Sequence, residues 1–101
     1  MIRHVVMFRW KDGVDAGHVE ATAAALSRLP ALIPQIVSYA YGPDLGIAPV
    51  NFDFAVTAQF ASRADFEAYR DHPDHQAFVG AFIAPFAADR FAVQFEEPGP
   101  A

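Results

Sequence analysis

The chain contains no cysteine, so it can form no disulfide, thiolate nucleophile or cysteine-ligated metal site. It is also poor in positive charge: seven Lys and Arg residues, spread singly along the chain, stand against twelve Asp and Glu, and the net charge is -5. Contacts to nucleic-acid phosphates need a clustered basic face. We therefore predict that the protein does not bind nucleic acid.

Long apolar runs are absent as well. No stretch approaches the roughly 20 residues of a membrane span, and the alternation that begins at Ile2 lacks the pattern of a signal peptide. No phosphate-binding loop, nucleophile elbow or dinucleotide fingerprint is present. These absences predict a cytoplasmic protein with no membrane contact and no cofactor.

Apolar residues are abundant, at 53% of a 101-residue chain that includes ten Phe. This length allows one domain with a single two-layer core, which we assign to residues 1–97, leaving 98–101 as a C-terminal tail. So many apolar residues in so short a chain indicate that a second subunit covers part of the surface.

The periodicity predicts an α+β fold. Four segments have the alternation or β-rich composition of strands: 2–10, 36–41, 52–60 and 91–96. A helical run over 16–29 is closed by Pro30 and Pro34. A second helix opens at Ser62 with a capping signature, and after Pro73 a third begins with Asp74 as its cap and ends at Pro85. The order is βαββαβ, a ferredoxin-like antiparallel sheet with helices on one face.

The other face of such a sheet is left uncovered in a single subunit. We predict that it pairs with a second copy, so that two sheets form a dimeric α/β barrel. The residues assigned to this face are apolar: Val5, Met7, Val37, Tyr39, Ala55 and Ala92.

The segment from Tyr69 to His75 concentrates the groups able to exchange protons. It places a phenol and two imidazoles around Pro73, where one helix stops and another begins. Two interpretations stay open: these groups line a reactive pocket, or they bond free backbone groups at the helix break. We assign His72 and Pro73 to a structural turn, and Tyr69 and His75 to the candidate site.

Two other histidines lie outside this segment. His4, on the apolar face of the first strand, either bonds locally in the core or lines a cavity with the Tyr69–His75 segment. His18, at the start of the first helix, is predicted to face solvent. A metal site built from His72, Asp74 and His75, with His4 or Asp53, is disfavoured because Pro73 interrupts the helix, so no metal is expected.

The chain resembles the stress-responsive α/β-barrel (Dabb) family, whose members are dimeric ferredoxin-like barrels. The resemblance rests on residues 2–8, the turn at 29–34, the start of the third strand at 51–54, and above all the Tyr-x-x-His-Pro-x-His element at 69–75. It runs essentially from end to end.

One branch of that family, the plant polyketide cyclases that form olivetolic acid, implies roles for individual residues. By this resemblance His75 is a base, Tyr69 orients the substrate, and His4 lies in the same pocket. Two polar pocket positions of the cyclase are occupied here by Leu26 and Phe54, which makes the pocket more apolar. The expected lining is Val6, Phe8, Leu26, Phe54, Val56, Phe78 and Phe82.

Three functions are compatible with this sequence. The first is a homodimer whose apolar cavity binds a hydrophobic or aromatic small molecule without catalysis. The second is an enzyme, either an aldol-type polyketide cyclase or a cofactor-free oxygenase like the monooxygenases that share this barrel. The third is a structural dimerisation module. A cavity that reaches both His4 and His75 would favour the first two, and a filled interior the third.

Overall fold

The structure, a computed structural model, describes residues 1–98. Its strands are β1 (Ile2–Trp10), β2 (Ser38–Pro43), β3 (Phe54–Phe60) and β4 (Ala87–Glu96); its helices are α1 (Ala16–Leu32), α2 (Arg63–Asp71) and α3 (Pro73–Phe78), which continues into a π-helical turn (Val79–Ile83). The strands form one antiparallel sheet in the order β2-β3-β1-β4. The predicted βαββαβ order is confirmed. Apart from Pro98, the predicted tail at 98–101 lies outside the described residues.

The core lies between the helices and one face of the sheet. In β1 and β3 the alternation predicts this face correctly, since every second side chain is buried. Residues paired across the two strands lie on the same face of the sheet. Examples are Val6 opposite Val56 and Phe8 opposite Phe54. Helix α1 packs on it with four buried residues: Thr22, Ala25, Leu26 and Leu29.

Helix α1 runs farther than the sequence indicates, because Pro30 lies inside it rather than at its end. A proline inside a helix removes one backbone hydrogen bond. Here the last turn persists because Leu29 and Ile33 are buried and the Ile33 N–H donates to the Leu29 carbonyl at 2.9 Å. Burial of these two side chains outweighs the lost bond.

The bounds of β4 and β2 differ from those that the local sequence pattern predicts, because pairing with neighbouring strands decides them. Strand β4 begins at Ala87 instead of residue 91, because it pairs with all of β1, from Ile2 opposite Glu96 to Trp10 opposite Ala87. Strand β2 lies two residues later than predicted, over Ser38–Pro43, where it is in register with β3.

Three residues predicted for the open sheet face lie elsewhere. Tyr39 is opposite Ala58 and Ala92 is opposite Val6, so both belong to the helix-covered side, while Val37 precedes β2 and is exposed. The error arises because β2 and β4 carry apolar residues on both faces, so alternation alone does not say which face is buried.

Val5, Met7 and Ala55 do lie on the open face, where β4 adds a row of side chains of its own. The large exposed apolar residues of this face, with their exposed fractions, are Met7 (40%), Phe91 (58%), Val93 (54%) and Phe95 (47%).

Helices α2 and α3 each begin with a side-chain cap. Ser62 Oγ accepts a hydrogen bond from the Asp65 N–H at 3.1 Å, as the capping signature predicts. The cap of α3 is His72 rather than the predicted Asp74, because His72 Nδ1 accepts from the Asp74 N–H at 3.1 Å and Pro73 takes the first helical position.

Among the helices of residues 1–98, none has both the length and the apolar character needed to cross a membrane.

Candidate functional site

A cavity of about 270 Å³ lies between the helix-covered face of β1 and β4 and the α2–α3 segment. Apolar side chains form most of its wall, and several polar side chains also line it. The lining residues of the sheet are His4, Val6, Phe8, Val56, Arg90, Ala92 and Gln94; those of the helices are Phe66, Tyr69, Arg70, His75, Gln76, Phe78, Val79 and Ile83.

His4 is buried, with 8% of its surface exposed, and its ring lies 5.0 Å from that of Phe66. Burial, and secondarily the nearby His75, lowers its pKa to about 4, so the imidazole is neutral at physiological pH. The Gln94 Nε2 amide donates to His4 Nδ1 at 2.9 Å. The proton of neutral His4 is therefore on Nε2, which makes that atom a hydrogen-bond donor.

His75 has the opposite tautomer. Its Nδ1 lies 3.0 Å from the Arg70 carbonyl oxygen, and because a carbonyl can only accept, Nδ1 carries the proton. Burial lowers the pKa of His75 despite this bond, and the nearby Arg90 and His72 add to the effect. His75 is consequently neutral near pH 7, with a lone pair on Nε2.

Tyr69 links the two histidines. Its ring centroid lies 4.2 Å from that of His75 and 6.1 Å from that of His4, and only 2% of the residue is exposed. Its hydroxyl is 2.7 Å from the hydroxyl of Tyr39. Burial raises the pKa of Tyr69 to about 12 and raises the pKa of Tyr39 as well, so both phenols stay protonated. The pair supplies hydrogen bonds rather than charge.

Seven of the predicted site residues line this cavity: His4, Val6, Phe8, Val56, Tyr69, His75 and Phe78. Three predicted lining residues do not. Leu26 and Phe54 are buried in the core, Phe54 against Trp10 at 5.9 Å between ring centroids, and Phe82 stacks behind Phe78 at 5.7 Å. The lining that the sequence did not predict comes from β4, α2, α3 and the π-helical turn.

Arg90 and Gln94, together with Ala92, are the lining residues that sequence reasoning missed on β4. A signal was present. Phe91, Val93 and Phe95 alternate with them, so assigning that apolar row to the open face would have turned Arg90 and Gln94 towards the helices.

The two remaining histidines lie outside the cavity lining. His72 caps α3, as the structural-turn interpretation expects in outline. His18 does not face solvent as predicted: its Nε2 donates to the Phe82 carbonyl at 2.9 Å, and its ring stacks on Phe86 at 3.7 Å. Across residues 1–98, no three His, Asp or Glu side chains are grouped closely enough to hold a metal ion.

Comparison with known proteins gives one family. Residues 2–97 match the family model described as the stress responsive A/B barrel domain. An uncharacterised protein of Streptomyces coelicolor is 32% identical over 81 residues, 78% of this chain and 84% of that protein. A stress-response A/B barrel domain-containing protein of Arabidopsis thaliana is 27% identical over 94% of this chain, which spans 36% of that longer protein.

Solved structures share the fold over nearly the whole chain. A dimeric ferredoxin-like protein of unknown function from Thermobifida fusca is 53% identical, with a TM-score of 0.87 over 93% of this chain and 88% of that one. A dimeric protein of unknown function from Bacteroides fragilis is 26% identical, with a TM-score of 0.81 over 95% of each chain. The predicted ferredoxin-like fold is confirmed.

An enzyme also has this architecture. The hydroxynitrile lyase of Passiflora edulis is 24% identical, with a TM-score of 0.82 over 98% of this chain and 96% of that one. At that identity the likeness concerns the fold alone.

Proposed function

Since this chain belongs to the stress-responsive A/B barrel domain family, we propose that it is a homodimer whose subunits each bind a small hydrophobic or aromatic molecule in the cavity beneath α2 and α3. The cavity between His4 and His75 is the observation that carries this proposal. A mostly apolar wall with a few convergent polar groups is the usual composition of a small-molecule site. A filled interior would instead have favoured a purely structural module.

The homodimer is supported by the apolar row on the open sheet face and by the dimeric relatives from Thermobifida fusca and Bacteroides fragilis. Exposed apolar patches of this kind mark association surfaces. A cytoplasmic location and the absence of nucleic-acid and membrane partners stay predictions from the sequence.

Titration with 1-naphthol, followed by its fluorescence, tests the binding proposal. We expect saturable binding by the wild type and binding at least roughly tenfold weaker in Ala92→Phe, because the larger side chain occupies the cavity from the β4 side. Ala24→Phe is the matched control, since Ala24 is exposed on α1 and does not line the cavity.

Thermal unfolding of both variants separates loss of the cavity from loss of the fold. The proposal fails if the wild type shows no saturable binding, or if a folded Ala92→Phe binds as tightly as Ala24→Phe.

The tautomers of His4 and His75 favour a second candidate, an acid–base enzyme. In this scheme His75 Nε2 removes a proton alpha to a carbonyl, while the Tyr69 hydroxyl and the His4 Nε2–H donate hydrogen bonds to the enolate oxygen. The carbanion attacks a second carbonyl of the same substrate molecule, and the proton held on His75 then passes to the new alkoxide. This is an aldol-type cyclisation that needs no metal or redox partner.

Turnover of linear poly-keto thioesters tests the enzymatic candidate. We expect His75→Ala to lose roughly 100- to 10,000-fold in rate, the range of general acid–base assistance, and Tyr69→Phe to lose less. His72→Ala is the matched control, because it removes a neighbouring imidazole that does not line the cavity. Identical product profiles in the wild type and all three variants would contradict the cyclase scheme.

A further inference from the structure

Arg90 is a cation of the cavity wall with no carboxylate partner among residues 1–98. The chain has seven Lys and Arg side chains, and four of them form ion pairs. The pairs are Arg3 with Glu97, Arg9 with Asp89, Arg63 with Glu67 and Arg70 with Asp71. The Lys11 ammonium donates a hydrogen bond to the Pro85 carbonyl. This leaves Arg28 and Arg90. Only Arg90 lines the cavity.

The cavity is positive, although the chain as a whole is acidic. Its lining includes two arginines and no Asp or Glu, while the chain carries a net charge of -5. The Arg70 guanidinium is engaged by both Asp71 carboxylate oxygens, at 2.9 and 3.0 Å. The uncompensated charge of the wall is therefore that of Arg90.

The strand places this charge at the far end of the cavity from His4. Arg90 is opposite Phe8, Gln94 is opposite His4, and Ala92 lies between them on the same face of β4. Four residues of extended strand separate Arg90 from Gln94 by about 13 Å. The small Ala92 side chain leaves the space between the two ends open.

We infer that the ligand is a small carboxylic acid with an aromatic or aliphatic body, whose carboxylate pairs with Arg90 while its body lies against Val6, Phe8 and Phe78. The inference rests on the proposed binding function and names its ligand class. Arg suits this task because its planar guanidinium can donate two parallel hydrogen bonds to one carboxylate. The volume of about 270 Å³ restricts the body to one or two rings or a short chain.

The test is calorimetric binding of a matched pair, 1-naphthoate and 1-naphthamide, which share shape and differ in charge. We expect the wild type to bind the acid about two- to fivefold more tightly than the amide, the range for a charge pair with an exposed arginine such as Arg90. Arg90→Gln is expected to bind both compounds equally, while Arg90→Lys regains part of the preference for the acid.

Arg28→Gln is the matched control, because it removes the same charge from an exposed position on α1 outside the cavity. It is expected to keep the full preference for the acid. If the wild type binds the amide as well as the acid, or if Arg90→Gln retains the preference, this inference is wrong while the proposed function stands. If neither compound binds any of the proteins, the proposed function fails and the inference with it.

Discussion

At the residue scale, the two cavity histidines are held in complementary tautomers by groups that sequence reasoning did not connect to them. The Gln94 amide leaves the proton of His4 on Nε2, and the Arg70 carbonyl keeps that of His75 on Nδ1. One ring therefore offers a donor to the cavity and the other an acceptor. The proposed binding and the proposed proton transfer both depend on this difference between the two rings.

The depressed pKa of His4 makes the stability of the protein depend on pH. In the unfolded chain His4 takes up a proton near pH 6.5, whereas in the folded protein it does so only near pH 4. Because the unfolded state binds the proton more readily, lowering the pH between these values favours unfolding. The contribution of neutral His4 to stability is fully present above pH 6.5. We expect the wild type to lose about 2 kcal/mol more than His4→Gln between pH 6.5 and about 4.5.

Urea denaturation of both proteins across this range measures the difference. Subtracting the two profiles of unfolding free energy against pH removes the contribution of the carboxylates, which titrate in both proteins. Parallel profiles would contradict the buried, neutral state of His4.

The hydroxyl pair of Tyr39 and Tyr69 gives a prediction about coupling. Phenylalanine at position 39 leaves the buried Tyr69 hydroxyl without its partner, which costs about 1–3 kcal/mol. Phenylalanine at position 69 costs less for the hydrogen bond, because Tyr39 is only half-buried. The double variant has no unpaired hydroxyl at this place. We therefore expect its free energy of unfolding to be about 1 kcal/mol higher than the sum of the two single effects indicates. A double-mutant cycle by urea unfolding measures this, and strict additivity would argue against the bond.

Some residues of the site were predicted from the sequence and others were not. The Tyr69–His75 element and the alternation of β1 brought His4, Tyr69 and His75 to one cavity, because local signals position each of them. Arg90 and Tyr39 were missed because register with β1 and β3 decides which face each residue takes. The alternation in β4 separates two rows of side chains, but it does not say which row faces the helices.

At the element scale, the junction of α2 and α3 shapes one wall of the cavity. Pro73 prevents a continuous helix, and the His72 ring replaces the missing partner of the Asp74 N–H. The first turn of α3 then places His75 next to Tyr69, which lies near the end of α2. The break in the helix is therefore what brings the phenol and the imidazole into contact.

Removing this cap affects stability rather than binding. We expect His72→Ala to lower the free energy of unfolding by about 1 kcal/mol, the usual value of an N-cap, and His72→Asn to restore most of it. Affinity for 1-naphthol is expected to stay within about twofold of the wild type in both variants, because His72 lies outside the cavity lining. Weakened binding without loss of stability would show that His72 acts in the cavity instead.

At the scale of the whole molecule, the open sheet face has the composition of an association surface. Phe91, Val93 and Phe95 form an exposed apolar row beside Met7, and two ion pairs, Arg3 with Glu97 and Arg9 with Asp89, border it. An apolar centre with a polar rim is typical of subunit interfaces. The composition of the chain indicated a partner, but only the register showed which residues of β4 lie on this face.

Sedimentation measures the proposed homodimer. We expect the wild type to be dimeric at micromolar concentration and Val93→Glu to be monomeric, because the variant places a charge in the centre of the apolar row. Leu32→Glu is the control, since Leu32 is similarly exposed but lies at the end of α1. A monomeric wild type, or a dimer that survives Val93→Glu, would contradict the assignment of this face.

Binding of a small molecule between His4 and His75, as proposed, can be followed by imidazole NMR. The chain has four histidines, of which two line the cavity, so His18 and His72 serve as internal references. On titration with 1-naphthol, we expect saturable shifts of the His4 and His75 ring nitrogen signals with little change at His18. Shifts absent from His4 and His75, or confined to His18 and His72, would contradict the proposed binding.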